Sequence, residues 1–316
     1  MADVGCAGIL VEDTFCGPMT SLPGEGTLLA LGEMPVKAGG CAANVAIDLA
    51  KQGVSVDVVG CVGRDGAADF LLRTYAAHGV GHSGVVQVEG HCTSRCIILL
   101  VKGEDRRYLY VTGANQFFSA SHVSRDWLAR LKVFYLGGLF VLPGFDPEGL
   151  VGLLKYCKSK GVRTVVDVVV PQDIQGMAPL EILLPHIDVF VPNEDEARAF
   201  TQVDNPLDQL RAFEAAGART VIVTRGSRGL IARNEGKTWR CGTYHMQVVD
   251  PSGSGDAFTS GVIRGMLLGW AFPKTLRYAS AIGASVTRAP GTTDSVFSSV
   301  EAERFIAAHP LAVEEV

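Results

Sequence analysis

A carboxylate stands beside a group of small residues near residue 250 of the chain. The stretch VVDPSGSGDAF covers residues 248–258 and places Gly253, Ser254 and Gly255 directly before Asp256. An apolar pattern with helical spacing follows at once, so we predict that a helix begins here. The unpaired amides of its first turn and the positive end of its dipole would form a site for an anion. The two glycines lack a Cβ atom and would let that anion approach the backbone.

Asp256 has two interpretations at this position. As an isolated feature, an acid in the first turn of a helix stabilises the helix dipole by roughly a few tenths of a kcal/mol. If the amides hold an anion, however, the carboxylate repels it and needs a chemical reason to be there. Phosphoryl transfer supplies one, because the amides neutralise charge on the moving group while the carboxylate accepts the proton of the attacking hydroxyl. This chemistry requires that the rest of the chain provide a nucleotide site and a hydroxyl substrate.

Three other well-known motifs are absent from the sequence. There is no GxxxxGK[ST] P-loop and no GxSxG nucleophile elbow. A dinucleotide fingerprint would need glycine or alanine at the position of Phe258. The predicted anion site therefore belongs to none of these classes of protein.

From about residue 130 the chain alternates between strand and helix patterns. Strands are predicted in VFYLGGLFV, RTVVDVVVP, PHIDVFVP and ARTVIVTRG, and helices in PEGLVGLLKYCKSKG, NEDEARAF and LDQLRAFEAAG. The strands are continuous Val/Ile runs, which is typical of a parallel sheet covered on both faces. The alternation implies right-handed crossovers and a doubly wound domain of three layers.

Residues 84–112 have a different pattern. Three strand-like pieces follow one another with short turns at Glu89-Gly90 and at residues 103–105, and no helix lies between them. We therefore expect the pieces to pair antiparallel, either as a lid over an active site or as a structural extension of the sheet. Such a flap has an apolar face with little to cover it, which favours a homodimer formed through the lid.

The composition of the 316 residues limits the classes of partner. The formal net charge of −5 argues against binding to nucleic acid, which needs a basic face. No apolar run is long enough to span a membrane, and the N-terminus lacks the basic and apolar regions of a signal peptide. The eight cysteines form no CxxC pair and lack the spacing of zinc ligands. These features predict a cytoplasmic protein with reduced thiols.

Four segments in a characteristic order resemble the ribokinase, or PfkB, family of carbohydrate kinases. The residues VVDPSGSGDAFTSGVIRG are similar to the family's DTxGAGDxFxxG signature, and AGGCAANVAIDLAKQGVSVDVVGCVGRDGAADFL is similar to its N-terminal signature. Between them, VPNEDEARAF resembles the family's NxxE segment and VIVTRGSRG resembles its nucleotide segment. Together these motifs cover nearly the whole chain.

The resemblance implies a fold, an activity and cofactors. The implied fold is α/β: a three-layer α/β/α ribokinase-like fold with a mostly parallel central sheet and a small antiparallel β lid. It would form a single kinase domain over residues 1–316, with lid segments at about 12–37 and 84–112. The implied activity is ATP-dependent phosphorylation of a hydroxyl group on a sugar or sugar-like molecule, with Mg²⁺. Many members of the family also bind a monovalent cation, such as K⁺.

The resemblance also assigns roles to individual residues. Asp256 matches the catalytic base, and the anion hole matches Gly253, Ser254 and Gly255. The positions that match the family's sugar-binding residues are Asp13, Gly39, Gly40 and Asn44. The positions that match its ATP-binding residues are Asn193, Thr224, Gly226 and Gly229.

Three further positions match metal-binding residues of the family. Glu196 corresponds to a residue that organises Mg²⁺ through water, the mode of binding that Mg²⁺ prefers. Asp250 and Ser252, together with the loop near Gly291, correspond to the monovalent-cation site.

Several of these residues also have ordinary structural interpretations. Gly39-Gly40 would suit a simple turn before a helix, and Asn44 would suit the surface of that helix. Asn193 and Glu196 would suit a capping box at the start of another helix.

The chain departs from the family's pattern near the predicted substrate. Pro251 and Ser252 replace the usual threonine pair, so one backbone donor is missing near the anion hole. No Asn or Arg follows Asp167, and GGLFVLP lacks an acidic residue that ribokinase has in that region. These departures favour an acceptor other than ribose.

Two alternative functions stay open. A nucleoside kinase would need an aromatic base pocket under the lid, for which Phe117, Phe118 and Phe140 are candidates, although core packing explains them equally well. A non-catalytic regulator that binds a sugar or a nucleotide would keep the fold without the activity. Arg107, in GEDRRYLY, resembles a lid arginine, but an exposed hairpin charge fits its position equally well.

Overall fold

The structure is a computed structural model that describes residues 2–104, 106–171 and 174–316. Its strands are β1 (Val4–Gly8), β2 (Val11–Met19), β3 (Val36–Gly39), β4 (Val56–Val59), β5 (Cys61–Val62), β6 (Val86–Gln87), β7 (Arg95–Val101), β8 (Arg107–Val111), β9 (Val133–Leu139), β10 (Arg163–Val168), β11 (Val189–Phe190), β12 (Thr220–Thr224), β13 (Leu230–Asn234), β14 (Lys237–Cys241) and β15 (Val313–Glu315). Its helices are α1 (Cys41–Lys51), α2 (Gly66–Ala77), α3 (Arg125–Leu128), α4 (Pro147–Ser159), α5 (Ala178–Glu181), α6 (Glu194–Thr201), α7 (Pro206–Ala215), α8 (Ser254–Leu267), α9 (Phe272–Val286) and α10 (Ser299–Ala308). Asp105, in one of the predicted turns, lies outside the described residues.

The central sheet has nine strands in the order β15-β14-β13-β12-β11-β10-β9-β1-β4. The strands from β4 to β12 in this order pair parallel, and β13, β14 and β15 add antiparallel at one edge. Every residue of β1 and of β9 is buried, as expected for strands covered on both faces. The predicted mostly parallel sheet is therefore confirmed.

Helices cover both faces of this sheet. Within β1, Ala7 packs in the same apolar cluster as α4 and α7, whereas Val4 and Cys6 pack with α1, α8 and α9. Successive side chains of a strand point to opposite faces, so one short strand contributes to both layers. The result is the predicted three-layer arrangement. None of the helices in the described part of the chain is long and apolar enough to cross a membrane.

A smaller sheet, which we call the lid, has the order β3-β2-β7-β8. Strands β2 and β3 pair antiparallel, as do β7 and β8, while β2 and β7 at its centre pair parallel. Two of the links between the lid and the body are short: residues 9–10 lead from β1 into β2, and Gly40 leads from β3 into α1. Both links lie at the carboxyl end of the central parallel strands, where α/β proteins bind their ligands.

The prediction of three consecutive antiparallel strands over residues 84–112 is wrong for the first of them. Strand β6 pairs parallel with β5 in a separate two-stranded sheet. Beyond β6 the chain is anchored at the start of α2, because the amide and the hydroxyl of Thr93 both donate to the Asp65 carboxylate. This anchor prevents a direct hairpin return at Glu89-Gly90, and only β7 and β8 form an antiparallel pair.

Candidate active site

Helix α8 begins where the sequence predicted, with Gly253 as its N-terminal cap. Gly253 has a φ of 76°, and a Cβ atom there would lie 2.2 Å from the Thr292 carbonyl oxygen, so the position suits only glycine. The amides of Gly255 and Asp256 belong to the first turn and have no acceptor within the helix. The Ser254 amide donates to the Pro251 carbonyl at 3.3 Å. Two of the amides near this helix start are thus the clearest donors for an anion.

The Asp256 carboxylate is held in place by the start of helix α1. Nδ2 of Asn44 donates to Asp256 Oδ2 at 2.7 Å, and Asn44 Oδ1 accepts from the Thr292 hydroxyl at 2.8 Å. Asn44 is 3% exposed, so its interpretation as a helix-surface residue is wrong. One side chain therefore fixes the position of Asp256 relative to α1 and to the loop that contains Thr292.

Burial raises the pKa of Asp256 above its ordinary value, while the amide of Asn44 and the nearby thiol of Cys41 oppose this rise. Asp167, at the end of β10, also has a raised pKa because it is buried and because the Asp256 charge is close. Oxygens of Asp167 and Asp256 lie within 4.8 Å of each other. Sequence analysis did not assign Asp167 to the site, although its place at the carboxyl end of a buried parallel strand was a signal.

The predicted sugar-binding residues lie together between the lid and α1. Asp13 is a buried residue of β2, and a Cβ atom on Gly39 would lie 1.8 Å from its Oδ2. Gly40 has a φ of 88° and caps α1, and a Cβ atom there would lie 2.4 Å from the Ile9 carbonyl oxygen. Burial and the Asp256 charge raise the pKa of Asp13 to about 7. The two glycines therefore form the turn before the helix and also make room for a carboxyl group.

A pocket of about 340 Å³ lies on the other side of the anion site. Thr224, Gly226 and Gly229 line one wall, and Ser254 and Gly255 line the wall at the start of α8. The remaining lining is largely apolar and includes Leu230, Tyr244, Met246, Val248, Phe258 and Ala284. The lining suits a partly apolar ligand whose charged end reaches the start of α8.

Asn193 and Glu196 form the capping box that was the structural alternative for them. Asn193 Oδ1 accepts from the amides of Asp195 and Glu196, and Glu196 Oε2 accepts from the Asn193 amide at 2.8 Å. Burial, with a contribution from the Asp256 charge, raises the pKa of Glu196 to about 8. Asn193 also forms an isolated parallel β-bridge with Thr224, so the capping box lies next to the pocket.

Asp250 ties together the two loops beside the anion site. It is 1% exposed, and its Oδ1 accepts from the amide and the hydroxyl of Ser252 at 2.9 and 2.7 Å. Its Oδ2 accepts from the Gly291 amide at 3.2 Å. Asp250 thus contacts both Ser252 and Gly291, the other two positions that the sequence grouped as a cation site.

Arg106, and not Arg107, reaches from the lid toward the anion site. Its Nη1 donates to Ser252 Oγ at 3.3 Å. Arg107 pairs with Glu104, and both side chains are about half exposed, so the exposed hairpin charge is the better interpretation of Arg107. Neighbouring side chains along an extended segment point to opposite faces, and the sequence alone did not fix which arginine faces inward.

The three candidate aromatic residues do not form one base pocket. Phe118 is fully buried and packs on Phe145, and Phe140 packs on Phe200. Phe117 is 38% exposed and contacts His91. Core packing explains Phe118 and Phe140.

The order of these motifs along the chain is shared with a known family. The family model described as pfkB family carbohydrate kinase matches residues 1–298. The chain belongs to the pfkB family of carbohydrate kinases. The match includes all residues discussed above, from Asp13 in the lid to Gly291 in the loop beside Asp250.

This pfkB kinase is similar to proteins with different acceptors. It is 28% identical to the ATP-dependent 6-phosphofructokinase of Thermoanaerobacterium thermosaccharolyticum over 258 residues, 80% of each chain. It is 27% identical to the adenosine kinase of Schizophyllum commune over 265 residues, 75% of each chain. The ribokinase of Arabidopsis thaliana, solved with ribose and ATP, has a TM-score of 0.82 at 22% identity, over 96% of this chain and 98% of that one. That structural likeness shows the ribokinase fold.

Proposed function

We propose that this pfkB kinase transfers the γ-phosphoryl group of ATP to a hydroxyl group of a sugar or sugar-like molecule, with Asp256 as the general base. One observation carries the proposal. The Asp256 carboxylate and the free amides at the start of α8 lie between the sugar-site residues, Asp13 and Asn44, and the pocket lined by Thr224. A coupled assay of ADP release over a panel of sugars, phosphosugars and nucleosides tests it.

The proposed reaction uses each group for one task. Asp13 orients the acceptor so that the reacting hydroxyl of the acceptor lies near Asp256. One carboxylate oxygen of Asp256 is already held by Asn44. Asp256 accepts the hydroxyl proton as the acceptor oxygen bonds to the γ-phosphorus. The bond from that phosphorus to the bridging oxygen breaks, and ADP leaves. The amides of Gly255 and its neighbours stabilise the charge on the phosphoryl oxygens.

ATP would occupy the pocket with its adenine against the apolar lining and its phosphates at the start of α8. The single domain and lid would enclose ATP and the acceptor together. The residues near the phosphates fit Mg²⁺, because Glu196 offers a carboxylate oxygen that the capping box does not use. A nearby cation would also offset the cost of burying the negative charge of Glu196. When bound, Mg²⁺ neutralises phosphate charge, and Glu196 would hold it through water.

A monovalent cation such as K⁺ would fit beside Asp250. This carboxylate is buried, and the donors that the described residues give it are the neutral groups of Ser252 and Gly291. A bound cation would neutralise Asp250 and stiffen the two loops next to the anion site. Asp250 and Ser252 would supply oxygen ligands.

The acceptor is proposed to be a sugar rather than a nucleoside. Asp13 and Asn44 are buried hydrogen-bonding groups suited to the hydroxyls of a polyol. A nucleoside kinase is the second candidate because of the similarity to adenosine kinase, but Phe118 and Phe140 are committed to core packing. The substrate panel separates the two. If no compound in the panel causes ADP release, the result would favour a binding protein without kinase activity.

Gly255→Ala is expected to lower activity without lowering stability. A Cβ atom at Gly255 would meet no protein atom within 4 Å, and alanine stabilises a helix by up to about 1 kcal/mol relative to glycine. Gly255 lines the pocket, so its methyl group would enter the space of the phosphates. We expect about a tenfold or greater loss in kcat/KM for ATP, since small displacements of reacting groups cost this much.

Gly66→Ala is the matched control for this variant. Gly66 also lies in the first turn of a helix, α2, and a Cβ atom there would also meet no atom within 4 Å. It should raise or preserve the melting temperature and leave the KM for ATP unchanged. Equal kinetics for the two variants would contradict the placement of the phosphates at Gly255.

We also propose that the lid forms a homodimer interface. Strand β8 exposes Leu109 and Val111, which are 59% and 54% exposed, and Ile97 of β7 is 40% exposed beside them. A second copy of the chain would bury this apolar face. Sedimentation velocity should show a dimer for the natural chain and a monomer for Leu109→Lys, and a monomer for the natural chain would exclude this interface.

A further inference from the structure

One thiol and two carboxylates from distant parts of the chain meet at the floor of the cleft. Sγ of Cys41, a carboxylate oxygen of Asp167 and a carboxylate oxygen of Asp256 all lie within 4.8 Å of one another. They come from three elements: Cys41 is the first residue of α1, Asp167 lies in β10, and Asp256 lies in the first turn of α8. The proposed reaction uses Asp256 and gives no task to Cys41 or Asp167.

Neighbouring groups orient each member of this cluster. The Tyr135 hydroxyl and the Gly138 amide donate to separate oxygens of Asp167, the latter at 2.7 Å. Asn44 donates to Asp256 at 2.7 Å. Each carboxylate oxygen keeps a further lone pair, and ligands oriented by a second layer of hydrogen bonds are typical of metal sites in proteins.

Close packing fixes the position of the thiol. A Cβ atom on Gly137 would lie 2.8 Å from Cβ of Cys41 and 2.5 Å from the Tyr135 hydroxyl oxygen. Glycine at this position therefore allows Cys41 to approach the Tyr135–Asp167 pair. Burial and the charge of Asp256 raise the pKa of the Cys41 thiol, so the thiol keeps its proton until a cation replaces it.

The charge of the cluster also favours a cation. The donors that the described residues supply to Asp167 and Asp256 are a hydroxyl, amide groups and the Cys41 thiol, all neutral. Burial raises the pKa of both carboxyl groups, and the Asp256 charge raises that of Asp167 further. A divalent cation between them would remove this repulsion.

The donor set selects the class of metal. A thiolate with two carboxylates suits a borderline or soft divalent ion such as Zn²⁺, whereas Mg²⁺ takes oxygen ligands. In tetrahedral zinc sites the ligand atoms are roughly 3.3–3.8 Å apart, given bonds of about 2.0–2.3 Å. Side-chain shifts of at most about 1.5 Å would bring the cluster to that spacing. The fourth position would face the cleft.

We propose that Cys41, Asp167 and Asp256 form a site for a thiophilic divalent cation, Zn²⁺, whose binding blocks the acceptor end of the cleft. The ion bonds to the Cys41 sulfur as the thiol proton leaves to solvent, and it bonds to one oxygen of each carboxylate. Asp256 then cannot accept a proton, so the bound ion inhibits the kinase. The inhibition rests on the proposed function, whereas the binding does not.

Binding is measured on full-length protein freed of metal with EDTA, without ATP. Titration with Zn²⁺ should show about one tight site per chain, and Co²⁺ at the same site should give the near-ultraviolet absorption band of a cobalt–thiolate bond. Cys41→Ala and Cys41→Ser should lose this band and bind Zn²⁺ at least about tenfold more weakly. The control is Cys92→Ala, which removes an exposed thiol and should keep both properties.

The two Cys41 variants guard against a simple folding defect. Serine is close in size to cysteine and can still donate to Asp256, as the Cys41 thiol does. A melting temperature close to that of the natural chain shows that the fold is intact. A natural chain without the cobalt–thiolate band, or the same band in Cys41→Ser, would overturn the metal site.

Inhibition is measured in the ADP-release assay at saturating Mg·ATP. Zn²⁺ should inhibit, a higher acceptor concentration should raise the Zn²⁺ needed for half-inhibition, and EDTA should restore activity. Zinc binding through Cys41 in a protein that phosphorylates nothing would support the metal site and contradict the proposed function. A working kinase without Cys41-dependent zinc binding would support the proposed function and contradict the metal site. Zinc binding without inhibition would overturn the inhibitory role.

Discussion

Asp256→Asn is expected to lower kcat by about 10²-fold or more, because a general base contributes at least this much to proton transfer. Asparagine has the same size and its carbonyl oxygen still accepts from Asn44, which lies 2.7 Å from Asp256 Oδ2. It cannot take up the acceptor proton. The KM for ATP should stay nearly unchanged, and the coupled ADP-release assay measures both constants. Near-normal turnover would rule out Asp256 as the base.

The pH profile gives a second test of the same carboxylate. Burial raises the pKa of Asp256, so this group loses its negative charge at a higher pH than an exposed aspartate does. Turnover of the natural chain should fall as the pH is lowered through that pKa and reach a plateau above it. The residual turnover of Asp256→Asn should lack this fall. An unchanged profile would point to Glu196 or Asp13, whose pKa values are raised to about 8 and about 7.

Arg106→Gln is expected to lower kcat by about 10²-fold, the typical cost of removing one donor that stabilises transition-state charge. Arg106 Nη1 lies 3.3 Å from Ser252 Oγ, next to the anion site, so its positive charge can reach the phosphoryl group during transfer. Glutamine keeps hydrogen-bonding capacity and removes the charge. Stopped-time assays at saturating ATP and acceptor would show the loss in kcat directly.

Arg107→Gln is the matched control for Arg106. It changes the same residue type at the next position of the lid, where the side chain is about half exposed and paired with Glu104. An exposed pair of this kind contributes little to stability, and its loss should leave kcat unchanged. If the two variants have the same kcat, Arg106 has no role in transfer.

Much of the body of the fold was predictable from local pattern. The largely apolar runs of β9, β10 and β12 are buried in a parallel sheet, as their lack of polar alternation indicated. The start of α8 was predictable because glycines, a helical apolar pattern and an acid stand next to each other in the sequence. These signals lie within short segments of the sequence, and the elements that they predict depend mainly on residues of the same segments.

The lid was harder to predict because its pairing depends on contacts outside the segment. Nothing within residues 84–94 shows that Thr93 will bind the Asp65 carboxylate, and this contact prevents the first hairpin. The choice between Arg106 and Arg107 depends on which face of the chain meets Ser252. Register is set by the tertiary structure, and a shift of one residue reverses every side chain.

The cluster of Cys41, Asp167 and Asp256 was not predictable from ligand spacing. Spacing rules for zinc sites apply where ligands lie close together in sequence, and these three come from different parts of the chain. The sheet order brings them together, because β10 pairs directly with β9, and Gly137 of β9 lies beside Cys41 of α1. The spacing of the cysteines therefore predicted no metal site, and the proposed role of Cys41 depends on contacts that only the fold provides.

The two short links formed by residues 9–10 and by Gly40 have a consequence for the hydrolysis of ATP by water. Asp13 and Arg106 ride on the lid, whereas Asn44 and Asp256 belong to the body. A bound polyol that contacts both Asp13 and Asp256 would connect the lid to the body and would bring Arg106 close to the phosphates. Water is too small to span that gap, so a water molecule at Asp256 would meet a half-assembled set of charges. With the proposed roles of these residues, this arrangement would limit hydrolysis of ATP until an acceptor contacts both the lid and the body.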